Sequence, residues 1–584
     1  MPNVRLSILF FSAFILLILY SSSLEAKKIF VSSAQQISAS LSSLLPGDTL
    51  VMTKGTWTNQ QIVFQANGTA NNKIYLIAEK DGEVILTGTS TLRIAGNHLV
   101  VSGLYFKDGY SPSGAVIEFR NGSSLLSNYC RLTNTAIVNY NPADKKKDYK
   151  WISLYGTNNR VDHCYLKGKD HIGTTLVVWL GTTPNYHLID NNYFAFRPVY
   201  PENGAETIRV GDSSTSLQDS YTTVEYNYFE QCNGETEIIS NKSCENIYRF
   251  NTFKDCEGTL TLRHGNRCTV ENNFFFCGNK PNSGGIRIIG EDHKVFNNYI
   301  ENSSGTSLKS GITLMNGVPD SPLNRYFQVK RAIVAFNTVV NSRASLTVGA
   351  GKDSELTLPP LDCVIANNIF YSTQSPIVTL TDNPINMTWA GNIFYGTSIG
   401  MSLPNDNFNV HPLLTKSADN IFRLLPTSPA INSSNTNYKY VTKDFDGQIR
   451  IDANDIGADE YSTEDIKVRP VGPHNTGPEF IRLLLSVKPD GDPVPVRFVL
   501  EQNYPNPFNP ETTINFSIFK AGQVQLRIYD VLGKEIALLV DEYKVPGAYS
   551  IRLSTDDFNL TSGVFFYKIN TGNYSQTKKM IVLK

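Results

Sequence analysis

Residues 227–277 read NYFEQCNGETEIISNKSCENIYRFNTFKDCEGTLTLRHGNRCTVENNFFFC, and this stretch decides the fold. Three times an asparagine opens a short aromatic run, at Asn227, Asn251 and Asn272. A cysteine follows five places later each time, at Cys232, Cys256 and Cys277. Working outward, the same unit recurs at Asn191, Asn297, Asn337 and Asn367, with successive intervals along the whole series of 36, 24, 21, 25, 40 and 30 residues. A unit of roughly 21–25 residues, lengthened by insertions, is the size of one coil of a solenoid. Stacked coils place equivalent residues about 4.8 Å apart in parallel register. Asparagine amides can then hydrogen-bond up the stack where the backbone turns, and the thiols can form a buried ladder. Helical periodicity is weak. Strands this short could also build a sandwich or a propeller, but the near-constant coil spacing favours a parallel β-helix.

The expectation is an all-β chain, a right-handed parallel β-helix (solenoid) followed by a small antiparallel β-sandwich. At 584 residues the chain is too long for one compact domain unless the architecture is a repeat. Its start runs Met-Pro-Asn-Val-Arg5, then 15 apolar-rich residues from Leu6 to Tyr20, then SSSLEA. That run is shorter than the roughly 20 residues that span a bilayer, so residues 1–26 read as a secretory signal peptide cleaved near Ala26. An uncleaved anchor is the alternative. Residues 27–461 form the β-helix, with a capping helix expected over 34–45 and DFDGQIRIDANDIGADEY (444–461) at the far end. Pro- and Gly-rich residues 462–497 read as a linker. Residues 498–584 carry alternating strands (TTINFSIF, QVQLRIYDV, YSIRL, GVFFYKIN) and read as the sandwich. Eight cysteines in an exported chain raise disulfides as an alternative, but Cys232, Cys256 and Cys277, like Cys130 and Cys164, share local registers that fit packing as small hydrophobes.

The formal net charge is −1, so no global field draws the protein to nucleic acid, a membrane or a polyanion. No stable membrane span is expected after processing. A grip on an acidic ligand must come from a local cluster. The run Lys145–Lys146–Lys147 reads as a solvated loop. Strand alternation supplies a better cluster. With Thr236 and Ile238 inward, Glu235 and Glu237 point out. With Leu260 and Leu262 inward, Arg263 points out; with Ile208 inward, Asn203 and Arg209 do; with Ile286 and Ile288 inward, Arg287 does. Lys242 sits at the turn after the two glutamates. Two carboxylates and an amide oxygen on neighbouring coils are hard ligands suited to Ca²⁺, and no Cys/His pairs are spaced for zinc.

An ammonium beside a cation and arginines loses its proton more readily, and a neutral amine can act as a general base. The chemistry that uses such a set is elimination at a uronic acid, where removal of the C5 proton loads charge onto the neighbouring carboxylate. Calcium and arginine can neutralise that charge. Lys242 would take the proton, and Arg263 would donate to, or stabilise, the leaving oxygen. Singly, each residue has a plainer reading: a solvated Glu-x-Glu pair, a surface lysine, a salt-bridged arginine, and for His264 a structural hydrogen bond in its turn.

At these positions the chain resembles polysaccharide lyase family six, the alginate lyases and chondroitinase B. The carrying motifs are N203-G-A-E-T-I-R-V-G, N233-G-E-T-E-I-I-S-N-K-S, L262-R-H-G and G284-G-I-R, within a similarity running from about residue 28 to 461. Position 205 is Ala where the pattern leads one to expect Gly. The resemblance implies that Asn203, Glu235 and Glu237 bind calcium, that Lys242 is the base and Arg263 the acid, and that Arg287 binds substrate near the cleaved bond. Arg209 and His264 complete the substrate-binding candidates. The tail from Tyr504, with YPNPFNPETTINFSI, IYDVLGKEI, SGVFFYKI and the final KMIVLK, resembles the sorting module of the type nine secretion system. That resemblance implies outer-membrane secretion machinery as a partner and the cell surface or medium as the destination. A carbohydrate-binding sandwich is the alternative for the tail. For the whole chain, the expected substrate is alginate, then dermatan sulfate. A hydrolase, which needs paired acids, and a noncatalytic glycan-binding β-helix are the competing readings. Block preference and endo or exo cutting rest on the insertions near 195–203 and 303–330.

Overall fold

The computed structural model describes residues 26–485 and 498–583, apart from short gaps at 375, 418, 436–437, 452–453, 545–546, 556–557, 559 and 573. The proposed signal segment therefore lies outside the described residues, except for Ala26.

Three long sheets run along one axis, two of 14 strands and one of 13, and almost every pairing in them is parallel between successive coils. Each coil contributes one strand to each sheet, as in Leu188–Asp190, Tyr193–Arg197 and Ile208–Gly211. This is a parallel β-helix. Its interior is filled by stacked equivalents: Phe194, Phe229, Phe253 and Phe275 lie face to face at 4.9, 4.7 and 4.4 Å between ring centroids.

The asparagine repeat has two layers that the spacing had merged. The buried ladder consists of Asn192, Asn227, Asn251, Asn273, Asn298, Asn337, Asn368, Asn392 and Asn407. From Asn227 onward each Oδ1 accepts from both the backbone N–H and the side-chain amide of the preceding rung, at 2.8–3.2 Å. Immediately before these rungs stand Asn191, Tyr226, Phe250, Asn272, Asn297, Phe336 and Asn367, all left-handed with φ between 52° and 55°. Asparagine tolerates that conformation better than most residues. In Asn-Asn pairs the first residue turns the chain and the second joins the ladder. Counting from Asn191, Asn272, Asn297 and Asn367 therefore placed four rungs one residue early. Cys277 is displaced for the same reason: it lies four residues after its rung, Asn273, whereas Cys232 and Cys256 lie five after theirs. The Cys232 N–H donates to Cys256 Sγ at 3.3 Å, while Cys277 Sγ faces the Gly284 carbonyl instead. All eight cysteines are buried free thiols.

The N-terminal end is closed by a short helix, Ala34–Ser40, continued by one tight turn through Ser43. Ser33 caps it by accepting from the Gln36 N–H, and Ile37 is its buried anchor. The segment 444–461, read as the far end of the solenoid, instead runs back along its flank. There Phe445 and Ala458 pack against Phe274, Tyr299 and Val340, and Arg450 bonds Asn297. Part of the segment read as linker is also seated on the solenoid. Val471, Phe480 and Ile481 cover a tyrosine face made by Tyr105, Tyr165, Tyr193 and Tyr228, and residues Glu479–Leu485 form one helix.

Residues 499–582 make two antiparallel sheets of three and four strands around a separate core that includes Ile514, Phe516, Leu526, Ile528, Tyr567 and Met580. That is the small β-sandwich. Among the described residues no helix is long and apolar enough to cross a membrane.

Candidate active site

Four consecutive strands of one sheet build the site: Ile208–Gly211, Glu237–Lys242, Gly258–His264 and Ser283–Ile288. Arg209, Ser240, Thr261 and Arg287 share one register position across them and point outward. Strict alternation would leave Glu237 facing the core, because Ile239 is the inward partner of Ile208 and Leu260. A bulge at Ile238 corrects this: Glu237 pairs with Thr259 while Ile239 pairs with Leu260. One extra residue re-aims a side chain. A second shift, between Asn241 and Lys242, leaves Arg263 as the unpaired residue opposite. Ile238 is buried as expected, but Thr236, expected inward, lines the site instead.

The strands and their preceding loops open a cleft of about 560 Å³ lined by Asn203, Glu235, Glu237, Arg263 and Arg287. All five were expected on this face. Glu237 sits at the centre: Arg287 donates to its Oε1, Ser240 Oγ donates to its Oε2, and Arg263 Nε stands 3.8 Å away. Asn203 lies on an exposed loop at the rim. Lys242 is not part of the cleft lining. It reaches the site from the neighbouring edge, with Nζ 3.9 Å from Glu206 Oε1.

Glu206 is the residue the sequence reading missed. It is 2% exposed, accepts from Thr174 Oγ1 at 3.0 Å, and joins Glu235 and Glu237 in a cluster whose oxygens lie within 4.8 Å of one another. Alternation from Ile208 sends position 206 inward, which hid it. The available signal was that it is the acidic residue of the quoted NGAETIRVG motif. Behind the cluster, buried Arg197 ties the loops together, donating to the Gly173 carbonyl at 2.9 Å and Thr175 Oγ1 at 2.5 Å.

Electrostatics mark Glu235 as strained. Its Oε2 accepts from the Gly204 N–H at 3.2 Å, but its buried Oε1 has no hydrogen-bond partner. Burial, then the Glu206 and Glu237 charges, push its carboxyl well above the ordinary range. A buried carboxylate oxygen with no donor, next to two more carboxylates, is a donor set that fits a hard cation. Burial also lowers Arg263 and, with the Arg263 and Lys242 charges, pushes the His264 imidazole down to about 3.

Two of the expected substrate contacts are placed differently. His264 is 1% exposed and edge-on to Phe327, and its buried Nδ1 has no hydrogen-bond partner, so that nitrogen does not make the structural hydrogen bond of the plainer reading. Arg209 is half-buried beside the cleft, its guanidinium 5.1 Å over the Trp179 ring. Tyr326 and Lys309, from the 303–330 insertion, also line the cleft and were not singled out individually.

The chondroitinase B family model matches residues 31–402, well over half of the chain. The chain belongs to the chondroitinase B family. Among solved structures, this family member is similar to the PL6 family alginate lyase AlyGC, at 35% identity and a TM-score of 0.69, covering 80% of this chain and 60% of that one. The chain thus spans 60% of the length of that relative. It is also similar to a mannuronic acid specific polysaccharide family 6 lyase from human gut microbiota, at 33% identity and TM-score 0.58, covering 64% of this chain and 87% of that one. A PL6 family polysaccharide lyase from Pseudopedobacter saltans matches at 26% identity and TM-score 0.57, covering 77% of this chain and 99% of that one. Residues 502–583 match the secretion system C-terminal sorting domain. No curated protein matches the chain.

Proposed function

We propose that this protein is an exported polysaccharide lyase that cleaves a uronate-containing acidic polysaccharide, alginate foremost, by calcium-assisted β-elimination. One observation carries the reading: two guanidinium groups line one cleft with a carboxylate cluster that holds an unpartnered buried oxygen, and the Lys242 amine lies 3.9 Å from the Glu206 member of that cluster. Asn203, Glu235 and Glu237 would hold Ca²⁺, with Glu206 adding an oxygen the sequence reading did not include. When bound, the ion would neutralise charge on the uronate carboxylate as the C5 proton leaves.

The chain's own groups do the rest. Arg287, pinned by Glu237, faces the cleft and orients the substrate carboxylate. Lys242 takes the C5 proton, which needs its amine neutral at that moment. Arg263 stands where it can stabilise the glycosidic oxygen as the C4–O bond breaks. A hydrolase would need two carboxyl groups about 5 Å or more apart, flanking the sugar. Here the three carboxylates crowd within 4.8 Å, which favours ion binding over acid and base work.

Alginate is favoured because the neighbours at 35% and 33% identity carry alginate and mannuronate in their names; dermatan sulfate lyase activity is the second reading, from the name of the matching family model. Export is supported by the sorting-domain match together with the apolar start, Leu6–Tyr20. In this reading residues 1–26 are removed, 27–461 carry catalysis, and 498–584 are the sorting domain read by the type nine machinery. The test is ultraviolet absorbance of the unsaturated product with alginate or dermatan sulfate, with and without a calcium chelator. Lys242→Ala should abolish the rise with no loss of thermal stability. Binding of either polymer without any rise would instead favour the noncatalytic β-helix.

A further inference from the structure

A second hollow, of about 290 Å³, lies on the same coils as the cleft but at a different corner of the solenoid. Its floor is the column of left-handed turn residues Tyr226, Phe250, Asn272 and Asn297. These turns join strands of the two sheets that do not carry the cleft. Its outer wall comes from the flanking segment, chiefly Tyr440, Lys443 and Lys467. Along the column the rings of Tyr226 and Phe250 stack at 4.7 Å. Asn297 is fully used by the flank: its amide donates to the Lys443 carbonyl at 2.6 Å, and its Oδ1 accepts from Arg450 at 3.0 Å. Asn272, one coil away in the same column, has no such partners. It is 7% exposed, its amide reaches only Glu271, at 3.5 Å, and its buried Oδ1 accepts nothing. A buried acceptor without a donor is costly. The flank does not bond Asn272, and the hollow opens beside it.

The rest of the lining has the makeup of a sugar site. Phe250, Phe296 and Tyr440 supply ring surface, with Phe296 and Tyr440 meeting edge to face at 5.3 Å. Three cationic side chains, Arg249, Lys443 and Lys467, share the lining with the carboxyls of Glu271 and Asp444. Asp444 is consumed by the backbone N–H groups of Asp446, Gln448 and Glu460, and Glu271 faces Arg249 at 3.9 Å. Lys443 is exposed, and among the described residues it pairs with no carboxylate. We propose that this hollow is an accessory binding site for one acidic sugar unit, a terminal uronate of the polymer that the cleft acts on. The C–H face of the pyranose packs on the rings, a sugar hydroxyl supplies the donor that Asn272 lacks, and the carboxylate pairs with Lys443. The volume lies at the lower end of the ~300–1,000 Å³ of small-molecule sites, which suits a single ring rather than a length of chain. A terminus held there keeps the polymer on the protein while the cleft works on another stretch. The choice of a uronate rests on the lyase reading above; the pocket itself does not.

The experiment titrates the full chain carrying Lys242→Ala, in calcium and by calorimetry, with a mannuronate trisaccharide, a guluronate trisaccharide and the neutral maltotriose. Two acidic trisaccharides should bind per chain, one in the cleft and one in the hollow. Adding Lys443→Glu reverses an exposed charge and keeps the backbone carbonyl that Asn297 uses. It should weaken one of the two sites by about tenfold or more, the weight of one charge-assisted contact, and leave the other unchanged. If no bound trisaccharide depends on Lys443, or if maltotriose binds equally well at the site that does, the proposal is overturned. The result is separable from the lyase reading. Unsaturated product from wild type, with no site that depends on Lys443, keeps elimination and removes the accessory pocket. A site that depends on Lys443, with no product from any uronate polymer, keeps the pocket and removes elimination.

Discussion

Replacing Glu235 with Gln gives a test of the carboxylate cluster in which stability and ion binding should move in opposite directions. Gln keeps an acceptor for the Gly204 N–H, now at 3.2 Å, and removes the charge whose Oε1 is buried without a partner. Leaving a buried acceptor unsatisfied costs about 1–3 kcal/mol, and more when it is charged. In chelator, Glu235→Gln should therefore be more stable than wild type by about 1–3 kcal/mol. The pH dependence has a definite sign. A carboxyl whose folded-state value is raised contributes stability while protonated, and that contribution is lost as pH rises through the folded value. Burial and the neighbouring carboxylates raise Glu235, so the advantage of the variant should be small in mild acid and grow toward neutral and alkaline pH. Calcium reverses the order. Wild type should gain about 2.7 kcal/mol at a calcium concentration a hundred times its Kd, and the variant should gain much less. Calorimetric melts in chelator and in calcium, at several pH values, read all three effects. A variant less stable than wild type in chelator, or an equal calcium shift in both, would refute the assignment of Glu235 as a strained, ion-seeking carboxylate.

Two further outcomes concern the scaffold. Asn273→Ala removes a side chain that accepts from the Asn251 backbone and amide and donates to Tyr248, Glu271 and Asn298; it should cost roughly 3–6 kcal/mol as buried groups lose partners. Asn272→Ala, one residue earlier and at φ 52°, should cost only about 1–2 kcal/mol of left-handed strain, and equal losses in chemical denaturation would count against the two-layer reading. His293 accepts the Cys268 N–H at Nδ1 and donates to the Ile289 carbonyl, and burial pushes it down to about 4. Its contribution is complete above the unfolded value near 6.5 and erodes as pH falls toward 4, by about 1.4 kcal/mol per pH unit. His293→Asn, which keeps an acceptor that does not titrate, should remove that acid-dependent component; parallel pH profiles of unfolding would show that His293 is not its source.

Sequence by itself determined the coil, because a solenoid of this kind needs one ladder asparagine and a few alternating apolar residues per coil, and both are local. It also brought Asn203, Glu235, Glu237, Arg263 and Arg287 together as one set, since they recur at neighbouring places on successive coils. The tertiary structure decided whatever depends on a one-residue slip. Asn272 and Asn273 are chemically identical, and only the stack distinguishes the turning residue from the rung. Spacing cannot locate the bulge at Ile238, which turns Glu237 outward although Ile239 is the inward residue. Glu206 was hidden by the same alternation rule, because its backbone leaves the regular strand before Ile208. Tyr326 lies 63 residues beyond Arg263 in the chain and meets it only because the loop folds back over the coils. Contacts of that kind arise from the stacking of whole coils, and no local pattern encodes them.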